Sequence, residues 1–148
     1  MFTVKIKRNQ RVNLKTVAAK LKGSSQVKVG FPAGETDSDI IDRAVWTHWG
    51  TSRGIPERPF LTAAMRDNRS KYRNAMKVSA KKLLLGQTAL GTVLSKLGID
   101  AQGDIQESIS TWTTPPNAPS TIEQKGSSQP LIWSGEMRAS VTYIVGKF

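Results

Sequence analysis

The chain has 148 residues, a net charge of +11, 38% hydrophobic residues and no cysteine. This suits one domain with a thin core and exposed arms, and it excludes disulfides, thiolate nucleophiles and zinc–thiolate sites. Apolar runs such as Leu83-Leu84-Leu85 are too short to span a bilayer, and Met1 to Arg8 lacks the apolar stretch of a signal peptide, so a cytosolic origin is expected.

In chain order, Phe2, Val4 and Ile6 alternate with polar residues and predict a strand. Asn13 is placed to cap a short helix with Leu14, Val17, Ala18 and Leu21 on its apolar face, and Gly23 ends it. Val27, Val29 and Phe31 predict a second strand, stopped by Pro32-Ala33-Gly34. Asp37 or Ser38 caps the next helix, which carries Ile40, Ile41, Ala44, Val45 and Trp46 and closes at Gly50. Residues 51 to 59 read as a loop holding Arg53, Glu57 and Arg58.

A long helix is expected from about Phe60 to Leu85, with Leu61, Met65, Tyr72, Met76 and Leu83 near one stripe, and Gly86 interrupts it. A shorter helix follows with Leu90, Val93, Leu94 and Leu97, ended by Gly98. Ile105, Ile109 and Trp112 suggest a third. Thr113 to Trp133 then reads as a proline-punctuated extended arm, too long for an idle loop. A last strand has Met137, Ala139, Val141, Tyr143 and Val145 on one side. The fold expected is α+β: one domain over 1–148 with a small antiparallel or mixed β-sheet, one long helix, several short ones, and the arm at about 113–133.

The charge is unevenly spread. The first 34 residues hold eight Lys or Arg and no acid, and residues 61 to 85 hold seven against Asp67 alone. Such asymmetry implies an acidic partner, either nucleic acid or an acidic protein surface. Aromatic residues seldom interleave with the basic ones, which argues against base stacking and leaves phosphate contact.

Catalytic constellations are lacking. His48 is the only histidine, so no multi-histidine metal site is expected, and a packing or interface role at a helix end is favoured. Asp37, Asp39 and Asp42 lack the glycine and glutamate of a calcium loop and read as helix-end acids. Neither a Gly-x-Ser-x-Gly elbow nor a phosphate-cradling glycine loop is present. Trp133 reads equally as a core anchor for the end of the arm or as an aromatic hot spot against a neighbour.

Three segments stand in a suggestive order. The first runs from Ala44 to Thr51 and on through Gly54-Ile55-Pro56-Glu57-Arg58-Pro59-Phe60-Leu61. The second is Pro119 to Gly126, and the third is Pro130-Leu131-Ile132-Trp133-Ser134-Gly135-Glu136-Met137 through Val141. Together they resemble the neck or tail-completion proteins of long-tailed bacteriophages, a family overlapping the virion morphogenesis proteins. His48 stands where that family more often has an acid, and Trp133 where it has a small polar residue. The resemblance spans roughly Val27 to Val145.

It implies a non-enzymatic structural virion protein without cofactors or metals. Such a subunit would form a ring, six-fold by expectation, at the head–tail junction. It would be assembled in the host cytoplasm, with the tail terminator and head-closure or connector proteins as partners and genomic DNA nearby in the channel. The basic face is expected to pair with acidic protein rather than DNA, because a sticky lumen would hinder DNA passage. Interface candidates are Trp49, Arg53, Arg58, Thr121, Lys125, Leu131 and Trp133. The alternative is a basic DNA-binding structural protein; an enzyme built on His48 is a weaker third. No membrane partner is expected.

Overall fold

The computed structural model describes residues 14–147. Seven helices and two strands form among them: α1 (Leu14–Leu21), β1 (Gln26–Gly30), α2 (Ser38–Trp49), α3 (Phe60–Asp67), α4 (Arg69–Leu84), α5 (Leu90–Thr111), α6 (Pro119–Lys125), α7 (Glu136–Ala139) and β2 (Thr142–Gly146). The fold is α+β. The expected strand at Phe2, Val4 and Ile6 and the cap at Asn13 lie outside the described residues.

The two strands pair antiparallel, with Val29 opposite Tyr143 and Val27 opposite Val145. A lone two-stranded ribbon is marginal in water and needs a packing partner. Here α5 supplies it, since both strands and α3 pack against that helix. Its buried residues, Val93, Leu94, Gly98, Ala101, Asp104, Ile105 and Ile109, recur at three- and four-residue intervals along one face. The core joins Ala44 of α2 and Phe60 and Ala64 of α3 to Ile105 and Ile109 of α5, with Leu131 and Val141 from the C-terminal part. Phe60, Ile105, Ile109 and Val141 are the largest fully enclosed side chains.

The long helix is α5, not residues 60 to 85. Gly98 does not end it. A Cβ at that position would lie 2.3 Å from the Tyr143 ring, so the missing side chain lets β2 approach the helix closely. The 60–85 stretch instead breaks at Asn68, which departs from helical geometry at φ −93°, ψ 5°. Both its backbone N–H and its side-chain Nδ2 donate to the Ala64 carbonyl, at 3.2 and 3.1 Å. Asparagine competes for backbone groups in this way and is a poor interior residue for a helix.

Two further corrections concern the C-terminal third. The strand expected from Met137 starts only at Thr142, because residues 136 to 139 form the single turn α7. Gly135 enters that turn with a positive φ of 85°. Met137 and Val141 are four residues apart and both meet the core, so their apparent alternation was one side of a helical turn. The segment 113–133 is also not extended throughout. It contains α6, which has Pro119 in its first turn and stops at a left-handed Gly126 whose N–H bonds the Ile122 carbonyl.

Candidate functional site

The first signature builds a tight return at the end of α2. Gly50 has φ 72°, and a Cβ there would meet the Glu57 nitrogen at 2.9 Å and the Ile55 oxygen at 3.0 Å. The loop closes on itself through Thr51 N–H to Ile55 O at 2.9 Å, and Arg58 N–H then reaches the Thr47 carbonyl at 2.9 Å. This return carries Arg58 beneath α2 and delivers Phe60 to the core.

Arg58 is buried, and its guanidinium is held by the far segment. Nε donates to the Pro115 carbonyl at 2.9 Å, and Nη2 donates to the Pro116 carbonyl at 3.1 Å and the Asn117 Oδ1 at 3.4 Å. None of these acceptors is a carboxylate. Burial pushes the guanidinium below its ordinary value. Lys125 is lowered as well, first by burial and then by the charge of Arg58. Its Nζ donates to the Gln129 carbonyl, which closes the stretch after α6.

Around this latch lies a cleft of about 160 Å³ lined by Arg43, Thr47, Thr121, Lys125, Leu131 and Trp133, among others. Four of the seven interface candidates therefore meet in one place: Thr121, Lys125, Leu131 and Trp133. Trp133 is 63% exposed, whereas Leu131 is buried and belongs to the core. Trp133 is thus the surface aromatic of this stretch and Leu131 is the anchor. Arg43 pairs with Glu136 at 3.4 Å, with both side chains about half exposed, so the pair contributes little.

A second cleft, of about 290 Å³, lies on the other side of α2. Val29, Phe31, Ile41, Val45, Trp49 and Leu61 line much of it. Trp49 is 68% exposed, and the neighbouring Trp46 is about half exposed. The helical period explains the two sides: Arg43 and Thr47 share one face of α2, and Ile41, Val45 and Trp49 share the opposite one. Arg53 is exposed in the 51–57 turn, apart from both clefts. Sequence reasoning missed Val45 and Leu61 as surface-forming residues, although the four-residue spacing of Ile41, Val45 and Trp49 carried the signal.

His48 is buried between these features. Its Nε2 lies 2.8 Å from the Thr62 hydroxyl, and its ring packs edge-on against Phe60 and Trp49. Burial lowers its pKa below 6.5, with Glu57 opposing the shift more weakly.

A separate polar cluster ties α4 to α5. Lys71 Nζ donates to both Asp104 oxygens at 2.7 and 2.9 Å, and the Tyr72 hydroxyl donates at 2.6 Å. Asp104 is buried, and the Tyr72 hydroxyl is pushed well up by burial and then by Asp104. Among the described residues no group of three His, Cys, Asp or Glu side chains is placed to hold a metal ion, and no helix is long and apolar enough to cross a membrane. Comparison with protein-family models, with curated proteins and with solved structures returned no match to the chain.

Proposed function

We propose that the protein is a structural subunit of a bacteriophage neck, of the tail-completion type. It closes into a ring at the head–tail junction and there meets the tail terminator and the head-closure or connector proteins. Its role is assembly rather than catalysis.

The observation that carries the reading is the pair of unlike clefts on opposite sides of α2, each with an exposed tryptophan at its rim. A closed ring needs contacts in which one face of a subunit meets a different face of the next. Two distinct aromatic patches meet that requirement, because exposed tryptophans beside apolar clefts are the usual anchors of protein interfaces. The residues forming them come largely from the three segments that carry the resemblance. That resemblance supplies the phage neck as the setting.

Electron microscopy of particles assembled without the protein tests the proposal. Filled heads and finished tails that stay separate are expected. Normally joined, infectious virions would contradict it. In particles complemented with Trp49→Ala or Trp133→Ala, each substitution should weaken its own contact by about 2 kcal/mol, as hot-spot truncations do, and reduce the yield of joined particles.

A further inference from the structure

We infer that α4 is a docking surface for the phosphate backbone of double-stranded nucleic acid. The inference stands on this helix and does not depend on the neck reading. Helix α4 carries Arg69, Lys71, Arg73, Lys77, Lys81 and Lys82 and no acid in its sixteen residues. Arg69, Arg73, Lys77 and Lys81 follow one another at intervals of four. Each interval advances about 6 Å along the axis and turns about 40° around it, so the four charges form a winding stripe about 18 Å long that spans about 120° of the helix. All four side chains are exposed, while Tyr72, Ala75, Ser79 and Leu83, on the roughly opposite side, are partly or fully covered. Among the described residues the ion pair made by this helix is Lys71 with Asp104, so none of the stripe is matched by a carboxylate.

The stripe works against the helix that bears it. Like charges four residues apart repel. Arg69, the first residue of the stripe, also sits in the first turn, where the helix dipole favours acids. A regular polyanion removes both penalties. Duplex nucleic acid presents one charge about every 1.7 Å of its axis, so long, exposed cations winding over a convex helix surface can meet phosphates without a pocket. Tyr72, the aromatic of α4, donates its hydroxyl to Asp104 and is not free to stack on bases. Binding is therefore to the backbone and independent of sequence.

The test is fluorescence anisotropy of the full chain on 30-base-pair duplexes of three unrelated sequences, with KCl varied. The wild type should bind all three alike, and log K should fall steeply with log salt. Replacing Arg69, Arg73, Lys77 and Lys81 together by Gln should make that slope shallower by about 3.6, the value for four lost phosphate contacts, and should weaken binding at least about tenfold at low salt. Circular dichroism should show the helix intact. A control with Lys22, Lys96, Arg138 and Lys147 changed to Gln, an equal charge loss at exposed sites elsewhere, should retain most of the slope. Equal losses in both variants, or unchanged binding in the α4 variant, would overturn the inference. So would polyglutamate displacing the duplex at an equal concentration of charge, which would point to an acidic protein instead.

Discussion

Segment 113–133 contains four prolines and no long apolar run, and helix α4 has sixteen residues of good helix-forming sequence. The proline-rich segment is nevertheless tied to the body near both ends: Arg58 grips it at Pro115, Pro116 and Asn117, and its own Leu131 enters the core, while α6 between them buries no residue. Each region buries one residue, Leu131 in the segment and Leu83 in α4, and α4 is held at its root by Lys71 and Tyr72 on Asp104 rather than by backbone groups along its length. What places a segment in the body is whether distant groups take up its polar atoms and side chains. Regular secondary structure alone does not.

Substitutions can sharpen or break that contrast. The largest effect is expected for Leu131→Ala, which empties a core position and should cost about 3 kcal/mol in urea unfolding, within the usual range for such truncations. A loss under about 1 kcal/mol would mean that the segment is not anchored there. Arg58→Ala leaves the two carbonyls and the Asn117 side chain without their donor, and about 2 kcal/mol should be lost. Arg58→Lys should recover little of this, because an ammonium cannot fork across adjacent carbonyls as a guanidinium does. Asp104→Ala should cost about 1–2 kcal/mol, loosening α4 while the Arg58 latch stays intact. Thermal unfolding checks both, and an Asp104→Ala loss larger than that from Leu131→Ala would reverse the ranking of the two regions.

The smallest effect is a pH dependence. Because burial lowers the His48 pKa from 6.5, the unfolded chain takes up its proton at a higher pH than the folded chain does. The stability contributed by neutral His48 is therefore complete above about pH 6.5 and is lost as the pH falls below it. Subtracting the stability–pH profile of His48→Gln from that of the wild type isolates the group. The difference should decline below pH 6.5 by at most about 1.4 kcal/mol per pH unit. A flat difference would show that His48 is solvated like an ordinary histidine.

Local patterns predicted the presence of α1, β1 and α2, but of the apolar face expected on α1 only Val17 is buried, with Leu14, Ala18 and Leu21 exposed, and Val45 and Trp46 of α2 are about half exposed. Val17 lies on the buried side of α1, and Gly50 and Gly86 close their helices with positive φ. The errors fall where a distant contact overrides a local signal. Gly98 reads as a helix stop, yet its purpose is room for Tyr143, 45 positions later. Asn68 breaks a helix whose apolar stripe runs on beyond it. At the candidate site, Thr121, Lys125 and Trp133 emerged from their segments and do meet in one cleft. Arg58 reads from the sequence as a loop residue and interface candidate, yet it is buried, and its acceptors lie 57 to 59 residues away, where nothing beside it in the chain announces them.

Amide hydrogen exchange on the wild type and Arg58→Ala compares the two regions directly. The amides of Thr121, Ile122 and Gly126, bonded within the segment, should lose protection when Arg58 is removed, while those of α4 keep theirs. Unchanged protection at 121–126, or an equal loss along α4, would contradict the claim that Arg58 holds the proline-rich segment to the body.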